Sequence, residues 1–190
     1  MNAVKSMEKE YRKFGVTVKL TLATIFAALV FIVTSQIPPI PIPATTGYFN
    51  VGETTIYVAA LLFGPFVGAF SGGIGAMLSD IYLGYGHFAL GTLIIKGGEG
   101  AIVGFLNIKL KKYIPNSTVR AIISVIVGGL EMVAGYFLYE NLLAVLFPGL
   151  EIFAIAEIPL NIGQMLVGLI IAVPIMHAVL RVFPQLKSQI

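Results

Sequence analysis

Long apolar runs constrain the fold of this 190-residue chain more than any other feature. A transmembrane helix needs about 20 consecutive, mostly apolar residues. We predict six such spans, at about 16–35, 50–63, 65–82, 88–108, 118–140 and 158–180. The second span is shorter than a bilayer-crossing helix, so it crosses fully only where its neighbours or a thinned bilayer accommodate it.

The composition agrees with a membrane protein. Hydrophobic residues make up 57% of the chain and charged residues only 11%, whereas a soluble domain carries about 25% charged residues. So few charges leave too little polar surface to cover a water-facing globule. The chain has no cysteine, which excludes disulfides and thiolate chemistry. We therefore predict an all-α integral membrane protein that forms a single domain over residues 1–190.

The segments outside the spans differ in character. Residues 1–15 are polar and mixed in charge, and we expect a cytosolic segment rather than a cleaved signal because acids interrupt the basic region. Residues 36–49 contain "IPPIPIP", whose prolines disfavour a helix and favour a stiff, extended outer loop. We read residues 109–117 as a basic cytosolic linker and residues 141–157 as an outer loop that holds a short interfacial helix.

The cations orient the chain. Eleven of the twelve lysines and arginines fall in or beside three segments that six spans place on one side of the membrane. The positive-inside rule then puts both termini in the cytosol. The outer loops carry only acids among the charged residues, such as Glu140, Glu151 and Glu157. The eleven cations are Lys5, Lys9, Arg12, Lys13, Lys19, Lys109, Lys111, Lys112, Arg120, Arg181 and Lys187.

The twelfth cation, Lys96, lies inside the fourth span, in "LIIKGGEGAIVG". A charge at that depth costs about 2.5–3.5 kcal/mol on insertion scales, so it normally faces a partner or a cavity. Glu99 lies three residues on, on a nearby helix face, and Glu131 lies in the outer half of the fifth span. Glu53 and Asp80 lie near the outer ends of spans two and three.

Two interpretations of this cluster differ in function. Lys96 could pair with Glu99 or Glu131 purely to hold helices together, or the cluster could line a ligand cavity open to the outside. We favour the cavity because several spans place polar groups at one depth, whereas a brace needs only two residues. Other polar residues at similar levels are Asn50, Tyr82, Tyr85, His87, Tyr136, Tyr139, Asn161 and Gln164. We expect no metal site, since His87 and His177 lie at opposite ends of the bundle.

Small residues form a second pattern. Gly64, Gly68, Gly72 and Ala76 recur at every fourth position, a spacing that lets helix backbones approach closely. We interpret this stripe as internal packing, with a surface for a partner protein as the alternative. The pair Ala23 and Ala27 repeats the spacing in the first span.

Several functions are excluded or disfavoured. The chain has no GxxxxGK[ST] loop, no HExxH and no GxSxG, so we expect no nucleotide hydrolysis by the chain itself and none of the chemistry of those motifs. A membrane enzyme with carboxylate chemistry is a weakly motivated alternative. A channel is disfavoured because the charges cluster at one depth instead of following a pore.

With its basic N-terminus, AxxxA motif, long outer loop and six spans, the chain resembles the substrate-binding S component of energy-coupling factor (ECF) vitamin transporters. Residues 47–106 resemble the riboflavin-type family in particular, through "NVGE", "GPFVG", "SD" and "KGGEG", and "IPLNIGQMLVG" at 158–168 is also similar. The resemblance covers most of the chain, and its motifs are concentrated in the middle third.

The resemblance implies a specific role. An S component is not an enzyme. It captures a vitamin from outside, docks on a T component driven by two ATP-binding-cassette subunits, and topples to release its cargo inside a prokaryotic cell. It implies that Ala23 and Ala27 form the docking surface and that the proline-rich loop is a lid, with Gly47 as a hinge. No cofactor is expected, because the vitamin is cargo.

The resemblance favours riboflavin as the ligand. The absence of tryptophan argues against thiamin, whose S components stack tryptophans around it. A hydroxymethylpyrimidine or pyridoxine-like ligand, or a scaffold that binds no vitamin, are the alternatives. A riboflavin site needs an apolar slot with polar edges. The candidate site residues are Ile40, Ile42, Asn50, Glu53, Asp80, Tyr85, Lys96, Glu99, Glu131, Asn161 and Gln164.

Overall fold

The computed structural model describes residues 15–41, 47–149 and 153–188. Within them the chain forms six α-helices: α1 Val16–Gln36, α2 Glu53–Phe63, α3 Pro65–Leu83, α4 Ala89–Lys109, α5 Ser117–Leu146 and α6 Ala154–Val182. Two short strands, β1 Ile40–Pro41 and β2 Tyr48–Phe49, pair antiparallel above the helices. Short 3-10 turns follow α4 at Leu110–Lys112 and α6 at Pro184–Ser188.

The helices form a bundle with apolar side chains on its outer surface, as a lipid bilayer requires. All except α2 are long and apolar enough to cross a membrane, whereas α2 has only 11 residues. Large apolar side chains point outward, as at Ile94, which is 74% exposed. In contrast, the ionic side chains of Glu53, Lys96 and Glu99 lie buried among the helices. The structure thus confirms the predicted all-α membrane fold with six helices.

The helix ends sort into two levels. At one level, the Asn107 amide donates to the Leu61 carbonyl oxygen (3.1 Å), which brings together the ends of α2 and α4. Thr118 Oγ1 lies 2.9 Å from His177 Nε2, which adds the start of α5 and the end of α6. The start of α1 belongs to this level, because its other end meets the start of α2. The start of α1 and the end of α6 therefore share the side of the basic linker, which the positive-inside rule places in the cytosol.

The prediction for residues 141–157 was wrong in one respect. No separate interfacial helix lies in the described parts of this segment. Instead, α5 continues to Leu146, and the Phe147 amide still donates to the Leu143 carbonyl oxygen (2.8 Å). Pro148 then ends the hydrogen-bonded run, because it has no amide hydrogen. The apolar stretch that suggested a new helix is the last part of α5.

Small residues hold α1, α3 and α4 close together. A Cβ built on Gly68 would lie 2.6 Å from the Gly100 carbonyl oxygen, and one on Gly72 would lie 2.5 Å from the carbonyl oxygen of Lys96. Such separations exclude any side chain, so the backbones of α3 and α4 pack directly on each other. The stripe is an internal packing surface, as predicted, and it fixes Lys96 beside α3.

The alanine pair of α1 is also internal. Ala23 is fully buried, in a cluster with Ala59 and Val67, and Ala27 is 6% exposed. A Cβ on Gly75 would lie 2.5 Å from the Ala27 carbonyl oxygen, so α1 packs tightly on α3 here. The expectation that these two side chains form an exposed docking surface does not agree with their burial in this chain.

A tight reversal joins α2 and α3. Gly64 has φ +86°, a backbone conformation that residues other than glycine rarely adopt. Its amide donates to the Ala60 carbonyl oxygen (2.9 Å). Pro65 follows at the first position of α3, where its fixed φ suits a helix start. This reversal lets the short α2 begin at the level of Lys96 while α3 returns to the outer surface.

Candidate functional site

A polar cavity lies at the outer end of the bundle, between the helices and strand β2. It contains about 500 Å³ of empty space, counted together with its opening to solvent. Its lining residues are Thr34, Gly47, Tyr48, Asn50, Gly52, Glu53, Ile56, Ala76, Asp80, Phe88, Thr92, Lys96, Tyr136, Glu157, Asn161 and Gln164.

Lys96 is the centre of the ionic network in the cavity wall. Its ammonium group donates a hydrogen bond to Glu53 Oε1 and lies 3.4 Å from Glu99 Oε2. The same nitrogen lies 5.2 Å from the centre of the Tyr136 ring, within cation–π distance. Glu99 also accepts a 2.6 Å hydrogen bond from the Tyr57 hydroxyl. The lysine therefore both braces α2 against α4 and faces the cavity.

Three amide side chains form a second wall. The Asn50 backbone amide and its Nδ2 both donate to Gln164 Oε1 at 2.9 Å. Gln164 Nε2 in turn donates to Asn161 Oδ1 (2.9 Å), and Asn50 Oδ1 accepts from the Gly52 amide (2.8 Å). These bonds fix the segment before α2 on the middle of α6, so the edge of the cavity has a defined hydrogen-bonding pattern.

Aromatic hydroxyls complete the outer wall. The Tyr48 hydroxyl donates to Asp80 Oδ1 (2.7 Å), and Thr92 Oγ1 lies 3.0 Å from the Tyr136 hydroxyl. Burial, with the nearby Asp80 carboxylate, raises the pKa of Tyr48 above its ordinary value, so this hydroxyl stays protonated and keeps donating. The Tyr85 ring stacks on the outer side of Tyr48, with ring centres 4.7 Å apart.

Two carboxylate oxygens in the lining have no hydrogen-bond donor among the described residues. They are Glu53 Oε2 and Asp80 Oδ2, and both are buried. A buried acceptor without a donor is costly, by about 1–3 kcal/mol. Both atoms are therefore ready acceptors for N–H or O–H groups of a molecule that enters the cavity.

The structure brings together part of the predicted site. Six predicted residues line the cavity: Asn50, Glu53, Asp80, Lys96, Asn161 and Gln164. Glu99 lies behind Lys96 and does not line it. The Glu131 carboxylate lies against Gly98 on the α4–α5 contact, and the ion pairs of Lys96 are with Glu53 and Glu99.

Two other predicted site residues that the structure describes, Ile40 and Tyr85, do not line the cavity. Ile40, in β1, is 64% exposed and pairs with Phe49. Tyr85 lies behind the lining: its ring packs on Tyr48, and its backbone forms hydrogen bonds with Asp80 and Phe88. Ile42 lies outside the described residues. Ile40 is thus exposed beside strand β2 at the cavity mouth and not in the lining, and its role in an apolar slot stays a prediction.

Several lining residues were missed. Thr34, Tyr48, Phe88 and Glu157 all line the cavity. Glu157, predicted as an outer-loop acid, is buried in the first turn of α6, where a negative charge suits the helix dipole. Thr34 and Tyr48 could have been found, because each is a polar residue next to the outer end of a span. Nothing in the sequence marks Phe88.

Gly47 has a packing role at the cavity mouth. A Cβ built there would lie 2.8 Å from the Glu157 carboxylate carbon, and positive φ values occur among the described glycines only at Gly64 and Gly84. The glycine is thus needed for close approach to α6 and not for an unusual backbone angle. Its role as a hinge stays a prediction.

The fold and the cavity define a class of protein: a helical membrane protein with a polar cavity at the outer end of its bundle. The family follows from comparison with known proteins. The profile of the ECF-type riboflavin transporter S component matches residues 15–181, and the chain belongs to this family. It is accordingly a substrate-binding transport subunit and not an enzyme.

Individual relatives agree with this assignment. The chain is 32% identical over 155 residues to the thiamine precursor transporter HmpT of Lactococcus lactis subsp. cremoris (strain MG1363), covering 81% of this chain and 82% of that protein. It is 42% identical over 140 residues to an uncharacterised protein of Pyrococcus woesei, covering 73% and 86%. A solved S component of a bacterial ECF transporter shares the fold, with a TM-score of 0.64 at 19% identity over 88% of this chain and 98% of that one.

Proposed function

We propose that this protein captures riboflavin from outside a prokaryotic cell and delivers it to an ECF transporter. The observation that carries the proposal is the outer cavity, where donors, acceptors and aromatic rings converge among helices otherwise made of apolar residues. Such convergence is typical of small-molecule sites. The brace interpretation explains Lys96 with Glu53 and Glu99, but it does not explain the amide wall or the aromatic residues.

The cavity chemistry suits a flat nitrogen heterocycle. Tyr48, Phe88 and Tyr136 supply aromatic surface in the lining, and rings of this kind stack on planar ligands. The acceptors Glu53 Oε2 and Asp80 Oδ2 match ring N–H groups and ribityl hydroxyls. Lys96, which also lines the cavity, can donate to a ring carbonyl. Riboflavin carries all of these groups, and the family's profile is that of riboflavin transporters.

A second candidate ligand is the aminopyrimidine precursor of thiamine. Three carboxylates, Glu53, Asp80 and Glu157, line the cavity against one lysine. A carboxylate binds an aminopyrimidine well, because the exocyclic amine and a protonated ring nitrogen donate side by side. The name of the HmpT relative points to the same ligand. Riboflavin, in contrast, has no basic ring nitrogen near neutral pH.

We further propose that α1 docks on the T component. S components of this family work with a T component and ATPase subunits. Only 17% of the apolar stretch of α1 is buried inside the bundle, the lowest share among the five long helices. Because Ala23 and Ala27 face inward, the exposed part of the helix surface, which includes Thr24 and Ala28, is the available surface. Thr24→Phe should abolish copurification with the T component and leave vitamin binding intact.

Purified protein tests the proposed ligand directly. The wild type should show flavin absorbance, and calorimetry after flavin removal should give one riboflavin site per chain. Binding of hydroxymethylpyrimidine instead of riboflavin would support the second candidate. A folded protein that binds neither compound would contradict both and favour a scaffold. Lys109→Met, at the cytosolic end of α4, is a matched control that should bind as the wild type does.

A further inference from the structure

A second cavity opens at the cytosolic end of the bundle, far from the vitamin site. It lies between the 3-10 turn after α4, the start of α5 and the end of α6, with about 1100 Å³ of empty space including its opening. Its polar lining includes Arg120, His177, Arg181 and Ser117, and Leu180 adds an apolar wall. Lys111 also lines it, but the two arginines are the cations on which the site depends.

Arg120 is buried and has no anionic partner among the described residues. Its exposed fraction is only 4%. Its Nε donates to Asn107 Oδ1 (3.0 Å) and its Nη1 to the Ile114 carbonyl oxygen (3.2 Å), so both partners are neutral. Buried charges are normally paired, because desolvating an uncompensated ion is costly. A guanidinium has five N–H donors, which leaves Arg120 with capacity for an anion in the cavity that it lines.

The described part of the chain supplies no carboxylate to this end. Its acidic residues all lie at the outer end or in the middle of the bundle, and none of them lines the cytosolic cavity. They are Glu53, Asp80, Glu99, Glu131, Glu140 and Glu157. The arginines Arg120 and Arg181 therefore form a positive pocket that no described side chain neutralises.

The start of α5 adds to this positive potential. The N-terminus of a 30-residue helix carries a partial positive charge and presents amide hydrogens. Asn116 Oδ1 accepts from the amides of Thr118 and Val119 (3.0 and 3.1 Å). Ser117, at the first helical position, lines the cavity and offers a hydroxyl donor. Planar guanidinium groups beside hydroxyl donors form the usual set of ligands for a phosphate group.

We propose that this cavity binds a phosphate group at the cytosolic face, held by Arg120 and Arg181. The group comes either from the headgroup of an anionic phospholipid of the inner leaflet or from free phosphate. Basic pockets between transmembrane helices on the cytosolic side bind anionic headgroups. The cavity opens at the level of the basic linker, where those headgroups lie. An occupied site would join the start of α5 to the end of α6.

Native mass spectrometry of the purified full-length chain tests the site. The protein is mixed with equal amounts of dioleoylphosphatidylglycerol and dioleoylphosphatidylcholine, and the retained lipid is identified. The wild type should retain phosphatidylglycerol preferentially. Arg181→Gln should lower its retention about tenfold, as expected for the loss of one charged hydrogen-bond partner. Lys109→Gln changes the net charge equally at the same end, but outside the cavity, and should retain lipid as the wild type does.

The outcomes separate the two sources of phosphate. Displacement of the lipid by millimolar inorganic phosphate would support a site that accepts free phosphate, and resistance to displacement would support a lipid headgroup. Equal losses in Arg181→Gln and Lys109→Gln, or equal retention of both lipids, would overturn the proposal. Unchanged lipid retention in Arg181→Gln with loss of T-component copurification would also overturn it, since the pocket would then belong to a protein interface. Arg120→Gln should lose more lipid than Arg181→Gln does. If Arg120→Gln does not fold, Arg181→Gln decides the test.

Discussion

Replacing Lys96 by methionine should destabilise the protein through two carboxylates that it leaves without a cation. Lys96 contacts Glu53 and Glu99, and all three side chains are at most 5% exposed. Removing one partner of a buried ion pair costs about 3–5 kcal/mol. For a chain of this size, 1 kcal/mol shifts the melting temperature by about 2–4 °C. Lys96→Met should therefore lower it by about 6–20 °C.

The two carboxylates should not contribute equally to this loss. Glu99 keeps the hydrogen bond from Tyr57 (2.6 Å) after the lysine is removed. Glu53 loses Lys96, the donor to its Oε1, and its Oε2 has no donor among the described residues. Adding Glu53→Gln to Lys96→Met should thus restore more than half of the lost stability. Adding Glu99→Gln should restore less.

Heating followed by size-exclusion chromatography of a fluorescent fusion measures these differences, and it needs no tryptophan or cysteine in the chain. Lys109→Met removes an exposed cation at the cytosolic end, so its melting temperature should change by no more than about 2 °C. The assigned network would be refuted if Glu99→Gln rescued Lys96→Met as well as Glu53→Gln does. It would also be refuted if Lys96→Met melted like the wild type.

Two further predictions concern packing and the cavity wall. Gly68→Ala should lower the free energy of unfolding by about 1–3 kcal/mol, because its methyl would lie 2.6 Å from the Gly100 carbonyl oxygen. The control Gly86→Ala meets no atom within 4 Å and should leave the melting temperature unchanged in the same assay. Gln164→Leu removes the acceptor for both Asn50 donors. It should weaken vitamin binding in calorimetry by at least about tenfold, or about 1.4 kcal/mol, and unchanged affinity in a folded variant would exclude Gln164 from the site.

The sequence predicted the fold well because a bilayer imposes strong local rules. Span length and cation distribution determine where helices cross and which way they face. The helix stripe at Gly68 and Gly72 likewise indicated close packing. The end of α5 was misjudged, because an apolar run that leaves the membrane still forms a helix until proline interrupts it.

The site was predicted only in part, for a geometric reason. Depth along a helix can be counted, so Glu53, Asp80 and Lys96 were assigned to one level. The direction in which a side chain points depends on how the helices rotate about their axes. That rotation separates Lys96, which faces the cavity, from Glu131, which faces Gly98. Phe88, which directly precedes α4, reaches the cavity through tertiary contacts that no local pattern contains.

Calorimetric titration of the purified wild-type chain with riboflavin tests the central claim, that the buried polar groups surround a cavity that accepts a vitamin from outside. The account predicts one site per chain, with binding weakened in Gln164→Leu and retained in Lys109→Met. If well-folded protein bound neither riboflavin nor hydroxymethylpyrimidine, the polar cluster would be a structural brace and the assigned function would be wrong.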